Sequence, residues 1–515
     1  MKFIQFVLLL TISNLLVAQP GSLDLSFGND GSMITGFDNI NAEAESIGIQ
    51  SDGKIILSGN GSDESNFDVI AARYLPDGQL DTDFVDGGRF IFTDTDLDYQ
   101  CYDMVVDGED NIFLAGTVFT STFSTRAFVI KLDKNGALDS SFDQDGVWYS
   151  ETTDQSEDYR NILMQSDGKI LIAGRSQIIG TGTTSIILRL NSDGSIDDTF
   201  GDKGLAVAAV PTGYNPRFLK LNSKEEIITG GFLLDTFVNI ILLKFNTQGA
   251  LDSSFGDGGV LVDENSFDEF GNNLAIQPDD KIIVCAGVTV FTRDFGMTRY
   301  NEDGSLDMTF GIVGRVSTDF SNMSNTSRSV LIQEDGHIIL AGFTGGTPNH
   351  DYAIARYNSL GDLDFSFGVE GLVFTDLGFD DLIFTSVLQP DGKLLCAGNS
   401  IGSDDLSSFS VARYLTTMGT SIEEIEESLG EVNVYPNPSD GNFSISLELE
   451  YATTATINLL ESNGRLVREL VPQVNFDEGM NTLDLSLDKS SGSSFLILEI
   501  KTEQGSIYRK LISTK

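Results

Sequence analysis

The stretch that decides the fold is NEDGSLDMTFG, residues 301–311, whose core LDMTF occurs in seven versions along the chain. The versions read LDLSF, LDTDF, LDSSF, IDDTF, LDSSF, LDMTF and LDFSF, and they end at Phe27, Phe84, Phe142, Phe200, Phe255, Phe310 and Phe367. Successive copies are 57, 58, 58, 55, 55 and 57 residues apart. This period indicates one supersecondary unit that is repeated and that buries its apolar face against its neighbours.

Each unit contains four short apolar stretches separated by turn residues. In the sixth unit they are RSVLIQ (328–333), HIILAG (337–342), DYAIARY (351–357) and LVFTD (372–376). Their length, β-branched residues and flanking Asp-Gly turns predict strands. Four antiparallel strands in each of seven units predict an all-β, seven-bladed β-propeller. The hairpin phrase QxDGK is replaced by DGEDN (107–111) and NSKEE (222–226), so the turn type stays open there.

The two ends of the repeat region predict ring closure. The region starts with a lone strand phrase, SMITGF (32–37), and finishes with a three-strand set that ends in FSVARYL (409–415). Pairing the lone strand with the last set would complete a seventh unit and leave few exposed sheet edges.

A basic residue precedes the last residue of every third strand, and an aspartate follows it eight residues later in six units. We interpret these residues as a structural ion-pair ring, because buried charge needs a partner; ligand binding is the alternative. The expected pairs are Arg73–Asp81, Lys131–Asp139, Arg189–Asp197, Lys244–Asp252, Arg299–Asp307, Arg356–Asp364 and, across the closure, Arg413–Asp24.

The repeat resembles the delta-60 repeat family, whose phrase includes the DxxFGxxG turn and the QxDGKI hairpin. The resemblance covers residues 19–415. It implies a propeller-like extracellular module and no particular activity.

After Leu415 the composition changes. Residues 416–431 carry five glutamates and no basic residue, which is typical of an acidic linker. Alternating strand phrases over 432–515 predict a small Ig-like β-sandwich. YPNPSDGNF (435–443), LLESNGRLV (459–467) and IYRKLISTK (507–515) resemble the type A C-terminal sorting domain of type IX secretion. An ordinary accessory sandwich is the alternative.

The sorting-domain resemblance implies contact with the type IX machinery and export across both membranes of a Gram-negative bacterium. Residues 1–18 have one lysine, an apolar stretch and Ala18 before Gln19, the pattern of a signal peptide. No other stretch is apolar and long enough to predict a membrane-spanning helix. We therefore expect a secreted or cell-surface protein.

The composition is strongly acidic, with 77 acidic and 31 basic residues and a net charge of −46. This charge argues against binding nucleic acid or an anionic membrane surface. It favours cations, basic partners or a solubilising role. The three cysteines, Cys101, Cys285 and Cys396, lie in apolar strand phrases and predict buried thiols rather than a disulfide framework.

No catalytic constellation is recognisable. The chain has two histidines: His337 replaces the lysine of a QxDGK turn, and His350 has no second histidine for a zinc site. Asp94, Asp96 and Asp98 alternate in DTDLD and predict a possible calcium site, with a solvated loop as the alternative. We expect no cofactor beyond this calcium and no enzymatic activity.

The irregular loops between strands and units combine aromatic and acidic residues, which is typical of a recognition surface carried by a rigid scaffold. Capping of the unit ends is the alternative. The candidates are Tyr99, Phe123, Tyr214, Phe267, Phe270, Phe320, Phe379, Asp380 and Asp381. We expect a monomeric binding or adhesion module for an extracellular glycan, polymer or protein. The alternatives are an extracellular hydrolase or lyase acting on polysaccharide or peptide, and a passive surface component.

Overall fold

The computed structural model describes residues 19–63, 66–94, 96–120, 125–151, 156–178, 182–264, 268–289, 293–320, 324–346, 349–378, 380–402, 406–417, 432–435, 442–449, 452–461, 466–477, 479–486, 495–502 and 506–512. The predicted signal peptide and most of the predicted linker lie outside these residues. The chain divides into a compact unit of residues 20–417 and a second unit that contains residues 418–515.

The repeat unit is all-β and propeller-like. Its described residues contain seven four-stranded antiparallel sets, two of which are joined into one larger sheet by a single parallel bridge between Thr125 and Ser156. One helical turn, α1 (Val85–Gly88), interrupts the strands. The apolar second and third strands of each set are almost wholly buried, whereas the fourth is partly exposed, as at β3, β4 and β5 below.

The strands are numbered in chain order, starting with β1 (Ser32–Thr35). The first three complete sets are β2 (Asn41–Ile49), β3 (Ile55–Ser62), β4 (Phe67–Tyr74), β5 (Arg89–Phe92); β6 (Asp98–Val106), β7 (Ile112–Phe119), β8 (Thr125–Leu132), β9 (Val147–Tyr149); and β10 (Ser156–Met164), β11 (Ile170–Ile178), β12 (Gly182–Leu190), β13 (Leu205–Val210). The next two are β14 (Tyr214–Leu221), β15 (Ile227–Leu234), β16 (Val238–Phe245), β17 (Val260–Asp263); and β18 (Asp268–Ile276), β19 (Ile282–Thr289), β20 (Arg293–Tyr300), β21 (Arg315–Thr318). The last two are β22 (Asn325–Ile332), β23 (Ile338–Gly346), β24 (Asn349–Tyr357), β25 (Leu372–Thr375); and β26 (Asp380–Leu388), β27 (Leu394–Ile401), β28 (Ser407–Tyr414), which β1 completes.

The predicted closing pair is confirmed. Strand β1 pairs antiparallel with β28, with Ser32 opposite Ala412 and Thr35 opposite Phe409. The first strand of each set also contacts the first strands of the sets before and after it, and β26 contacts β2, so the sequence of sets is cyclic.

The hydrophobic cores lie between neighbouring sets. The cluster between the first and second sets joins Ile56 and Phe84 to Tyr99 and Phe128. The cluster across the closure joins Phe27 and Leu57 to Leu395 and Phe409. Because apolar side chains from two sets fill each core, a single set exposes its core until its neighbours are in place. Cys101, Cys285 and Cys396 are buried free thiols in these cores, as the sequence predicts.

The structure brings together every basic residue and aspartate of the expected ion-pair ring. The seven shortest nitrogen–oxygen distances are 2.7–3.1 Å. In the five pairs that contain arginine, the guanidinium also lies 4.2–4.8 Å from the ring centroid of the LDxxF phenylalanine. We call the basic residue, its aspartate and this phenylalanine a junction clamp. The clamp explains why those three residue types recur together in the sequence.

The junction clamp also reaches into the next set. Arg299 donates from Nε to Asp307, at 2.9 Å, and from Nη1 to the backbone carbonyl of Ser359, at 2.7 Å. Ser359 follows β24 and belongs to the following set. Across the closure Arg413 bonds Asp24 at 2.9 Å and the carbonyl of Pro76 at 2.6 Å. Each such arginine therefore joins two sets with charge-assisted hydrogen bonds.

The pKa of the clamp aspartates follows from these contacts. Burial by itself would raise the pKa of Asp307, but hydrogen bonds from Thr309 and the charge of Arg299 lower it to about 2. The stability that this aspartate contributes is therefore fully present above its unfolded pKa of about 3.8 and is lost as the pH falls through about 2.

The hairpins between first and second strands use one left-handed residue. In QSDGK the amide of Gly53 bonds the carbonyl of Gln50 at 2.9 Å, and Gly53 takes the positive φ of 82°. This is the pattern of a type I turn followed by a left-handed residue, so the positive φ belongs to the glycine and not to the Asp-Gly pair. In the two departing phrases the left-handed position is taken by Asp110, at 69°, and Glu225, at 60°.

The C-terminal unit contains two sheets in its described residues. They consist of β29 (Val432–Tyr435), β30 (Asn442–Leu449) and β33 (Gly479–Ser486), and of β31 (Thr453–Glu461), β32 (Leu466–Phe476), β34 (Phe495–Thr502) and β35 (Ser506–Ile512). One hydrophobic cluster contains Phe443 and Ile445 from the first sheet and Ile457 and Leu498 from the second. The two sheets therefore share a core.

Replacing Arg299 by alanine should destabilise the repeat unit by about 1–3 kcal/mol, because a buried carboxylate and a carbonyl of the next set lose their donor. Lys281 provides the matched control: its Nζ is 3.5 Å from the same carboxylate, but its side chain is 31% exposed. Lys281→Ala should cost less than about 1 kcal/mol. Chemical denaturation measures both, and equal losses would contradict the junction clamp.

Replacing Glu225 by glycine should stabilise the protein by about 0.5–1 kcal/mol, because glycine relieves the left-handed strain at some cost in unfolded-chain entropy. Asp110→Gly is the contrasting variant. The Asp110 carboxylate accepts hydrogen bonds from the amide and hydroxyl of Ser51 in the neighbouring set, both at 2.6 Å. Asp110→Gly should therefore leave the melting temperature unchanged or lower it in thermal unfolding. A Glu225→Gly variant less stable than the wild type would refute this reading of the turn.

Candidate functional site

Most of the residues predicted to form a recognition surface do not lie on an accessible surface. Tyr99, Tyr214, Phe320 and Asp381 are fully buried, and Asp380 is 7% exposed. Tyr99 and Tyr214 lie within or at the start of first strands, not in loops, and face the core between sets. This part of the prediction is therefore corrected: these five side chains are buried.

The other surface candidates divide into two groups. Phe270 is half-buried: its ring meets that of Phe232 edge to face, with centroids 5.4 Å apart, and the guanidinium of Arg293 lies 4.4 Å from its centroid. Phe123, Phe267 and Phe379 lie outside the described residues. Asp380 accepts hydrogen bonds from the amide and ring Nδ1 of His350, at 2.8 and 2.7 Å, so it joins β24 to β26.

The aspartates of the calcium prediction are not brought together. Asp94 accepts from the amide of Asp96, at 2.9 Å, and Asp98 accepts from the amide of Phe67, at 3.1 Å, so the carboxylates serve different backbone groups. In the described part of the chain, the group of three carboxylates whose oxygens lie within 4.8 Å of one another is Asp351, Asp376 and Asp381. Three carboxylates suit a hard cation, so these residues could hold calcium.

A different set of residues converges at the first strands. In all seven described first strands, the pairing with the second strand shifts by one residue at the same register, which is the mark of a β-bulge. The extra residues are half-buried and line one cavity of about 420 Å³. We call them the bulge ring: Glu45, Tyr102, Arg160, Arg217, Asn272, Arg328 and Phe384.

In six of the seven sets a glycine in the second strand makes room for the bulge, and in the fifth set Ala286 takes this position opposite Gly271. A Cβ on Gly59 would lie 1.9 Å from the carbonyl oxygen of Glu43, and one on Gly116 would lie 1.9 Å from that of Gln100. These glycines end the apolar phrases IILSG (55–59) and IFLAG (112–116). Glycine inside a strand is a known signal for a bulge on its partner. It is the signal by which sequence analysis could have found the bulge ring.

Each aromatic ring of the bulge ring lies next to a guanidinium group. Arg160 lies 4.4 Å from the ring centroid of Tyr102, and Arg328 lies 5.4 Å from that of Phe384. Arg160 is also paired with Asp158, at 3.0 Å. By contrast, the Nε atoms of Arg217 and Arg328 are buried and have no hydrogen-bond partner among the described residues.

The charges of the bulge ring act on one another. Burial raises the pKa of Glu45 to about 7, against the opposing attraction of Arg328, Arg217 and Arg160. Burial, followed by repulsion from Arg160 and Arg328, lowers the pKa of Arg217 to about 10. The bulge ring thus holds three guanidinium groups and one carboxylate that is about half protonated at neutral pH.

Polar side chains fasten the walls of the cavity. Asp103 on β6 accepts from the hydroxyl of Ser46 on β2, at 2.9 Å, and from the amide of Ile162 on β10, at 3.1 Å. Asn272 on β18 donates to the carbonyl of Ser327 on β22, at 2.8 Å. These bonds between neighbouring sets hold the bulge ring in a fixed geometry, which is what a binding site needs.

Family comparisons identify both parts of the chain. Residues 50–84, 165–200, 277–310 and 333–367 match the family described as Domain of unknown function (DUF5122) beta-propeller, and residues 433–514 match the Secretion system C-terminal sorting domain. The chain therefore carries DUF5122 repeats, which are of the delta-60 type, and ends in a type IX sorting domain. This tail indicates interaction with the secretion machinery and export to the cell surface or extracellular space. A search among curated proteins finds no match.

Several solved structures resemble this chain at low identity. A PL25 ulvan lyase bound to -[GlcA(1-4)Rha3S]- is 10% identical with a TM-score of 0.46, over 75% of this chain and 96% of that one. A protein of unknown function from Dyadobacter fermentans is 10% identical with a TM-score of 0.39, over 74% and 97%. A Trypanosoma rangeli sialidase is 9% identical with a TM-score of 0.35, over 95% and 89%. Within the described residues, no helix has the length and apolarity needed to cross a membrane.

Proposed function

We propose that this chain of DUF5122 repeats and a type IX sorting domain is an exported seven-bladed β-propeller that binds a ligand in its central cavity. The observation that carries the proposal is the bulge ring. Seven first strands point one extra residue each at the same cavity, and the residues include three arginines, a glutamate and two aromatic side chains. In this proposal each four-stranded set is one blade, and β1 completes the last.

The domain organisation belongs to the same proposal. Residues 1–18 would be the signal peptide, 19–415 the propeller, 416–431 the acidic linker and 432–515 an Ig-like sandwich that directs export. The junction clamps would serve the propeller as structural ion pairs, which is consistent with their burial and with the backbone carbonyls they bond in the next set.

Binding explains the cavity better than a passive surface role does. Buried donors without partners cost free energy, so Arg217 and Arg328 need a function that compensates for their unpaired Nε atoms. A cavity of about 420 Å³ is within the range of small-molecule sites. Aromatic and arginine side chains are also the types that dominate binding energy in proteins.

Catalysis is the second candidate, and Glu45 favours it. A carboxyl group with a pKa near 7 in a cavity suits general acid–base chemistry at neutral pH. Tyr102 lies in the same ring and offers a hydroxyl group. Under this second hypothesis the cavity remains the functional site, and the protein would convert the ligand that binds there.

Filling the cavity should abolish binding. The secreted full chain is screened on glycan and protein arrays, and hits are repeated with Asn272→Trp and with Phe384→Trp, which place extra volume in the bulge ring. Met308→Trp, at a position that is 62% exposed, is the matched control and should bind as the wild type does. Thermal unfolding checks that the variants fold. If Asn272→Trp does not fold, Phe384→Trp alone provides the test. Unchanged binding in a folded cavity-filling variant would contradict the proposal. Turnover of a bound ligand by the wild type would instead support the second candidate function, catalysis.

A further inference from the structure

The charge of the cavity is opposite to that of the chain. The protein has a net charge of −46, yet the cavity is lined by four basic residues and two carboxylates: Arg160, Arg217, Lys220 and Arg328 against Glu45 and Asp103. Burial lowers the pKa of Arg217, and repulsion from the charges of Arg160 and Arg328 lowers it further. The arrangement is costly without a compensating anion.

We propose that the bulge ring binds an oxyanion, the carboxylate or sulfate group of a ligand, between Arg217 and Arg328, with Arg160 supporting and Glu45 as a proton-dependent competitor. This proposal rests on the proposed function, because it takes the central cavity to be the binding site. It goes beyond that function by naming the chemical class of the ligand.

The hydrogen-bond geometry favours an oxyanion. Arginine presents several N–H donors in a planar fork that matches carboxylate and sulfate oxygens. Among the described residues the buried Nε atoms of Arg217 and Arg328 have no partner, whereas the Nε of Arg160 already pairs with Asp158. Arg217 and Arg328 are therefore the principal anchors. Phe384 and Tyr102 flank the arginines and would contact the uncharged part of the ligand.

The overall charge limits the kind of anion. A dense polyanion would be repelled by a chain with 46 excess negative charges, whereas one isolated oxyanion enters a local positive field. The cavity of about 420 Å³ also suits one small group or the end of a chain. We therefore infer an isolated carboxylate or sulfate on an otherwise uncharged body.

Glu45 links binding to pH. Charged, it competes with the oxyanion for the arginines and repels it; protonated, it does neither and can donate a hydrogen bond. The raised pKa of about 7 places this change at neutral pH. The groups whose charges act on or are acted on by Glu45 are Glu43 on its own strand, Tyr102 and Cys101 on β6, Arg160 on β10, Arg217 on β14 and Arg328 on β22.

The test is calorimetric titration of the full secreted chain with sodium sulfate at pH 6 and pH 8, at constant sodium chloride. Sulfate keeps its charge over this range, so any pH effect belongs to the protein. Affinity should fall about tenfold from pH 6 to pH 8, following the protonated fraction of a group with a pKa near 7. Glu45→Gln should keep the higher affinity at both values of pH.

Arg217→Gln and Arg328→Gln should each weaken sulfate binding at least about tenfold, the loss typical of one charge-assisted bond. Lys134→Gln, on an exposed turn, is the charge-matched control and should leave the affinity unchanged. Two arginine variants are used so that one remains if the other fails to fold. Absence of sulfate binding to the wild type, or wild-type affinity in both folded arginine variants, would overturn the oxyanion assignment.

A second arm separates the source of the oxyanion. A uronic acid should bind and its neutral sugar should not, while dextran sulfate should bind more weakly per sulfate than the free ion. Tighter binding of dextran sulfate would overturn the restriction to isolated groups. Suppose a neutral ligand binds the wild type and Arg217→Gln equally but does not bind Asn272→Trp. That result would overturn the oxyanion class and leave the cavity as the binding site.

Discussion

The structure depends on the charge-assisted bond that an arginine at the end of one third strand makes with an aspartate of its own set and a carbonyl of the next. Arg299 makes both bonds while lying on the ring of Phe310, at 4.2 Å. Apolar cores between sets supply most of the favourable free energy, but they are not directional. The clamp adds direction, because a guanidinium can satisfy its donors in only a few geometries. At the five junctions that carry an arginine, it fixes how one set meets the next.

The cavity follows from that cyclic order. When seven sets close on themselves, their first strands face a common space, and a bulge at one register turns seven side chains into it. The glycine opposite six of the seven bulges, such as Gly59, is required because a Cβ would collide with a carbonyl of the bulged strand. The same repetition that builds the scaffold thus produces seven equivalent positions. Their residue types differ, so the scaffold can be kept while the lining changes.

Much of the scaffold could be predicted from the sequence, because its constraints act through repeated residue types. The LDxxF phrase, the closing pair of 32–37 with 409–415 and the buried cysteines all rest on local patterns or spacing. The site could not be predicted in the same way. Glu45, Tyr102 and Arg217 share a structural position but no chemistry, so they leave no repeat in the sequence. The sequence pattern places Tyr99 and Phe320 on a surface, whereas both are buried, because strand ends and loop packing are not visible in a pattern. The net charge also favours cationic partners in the sequence analysis, because a sum over the whole chain hides a cavity whose local charge is positive.

The most direct test of the account is a crystal structure of the secreted chain soaked in selenate, with anomalous differences recorded at the selenium edge. Selenate is an oxyanion with the shape of sulfate, and its selenium atom marks its position without interpretation of weak density. The account predicts an anomalous peak inside the bulge ring, within hydrogen-bonding distance of Arg217 and Arg328. Selenate peaks at other positions, together with an empty cavity, would contradict it.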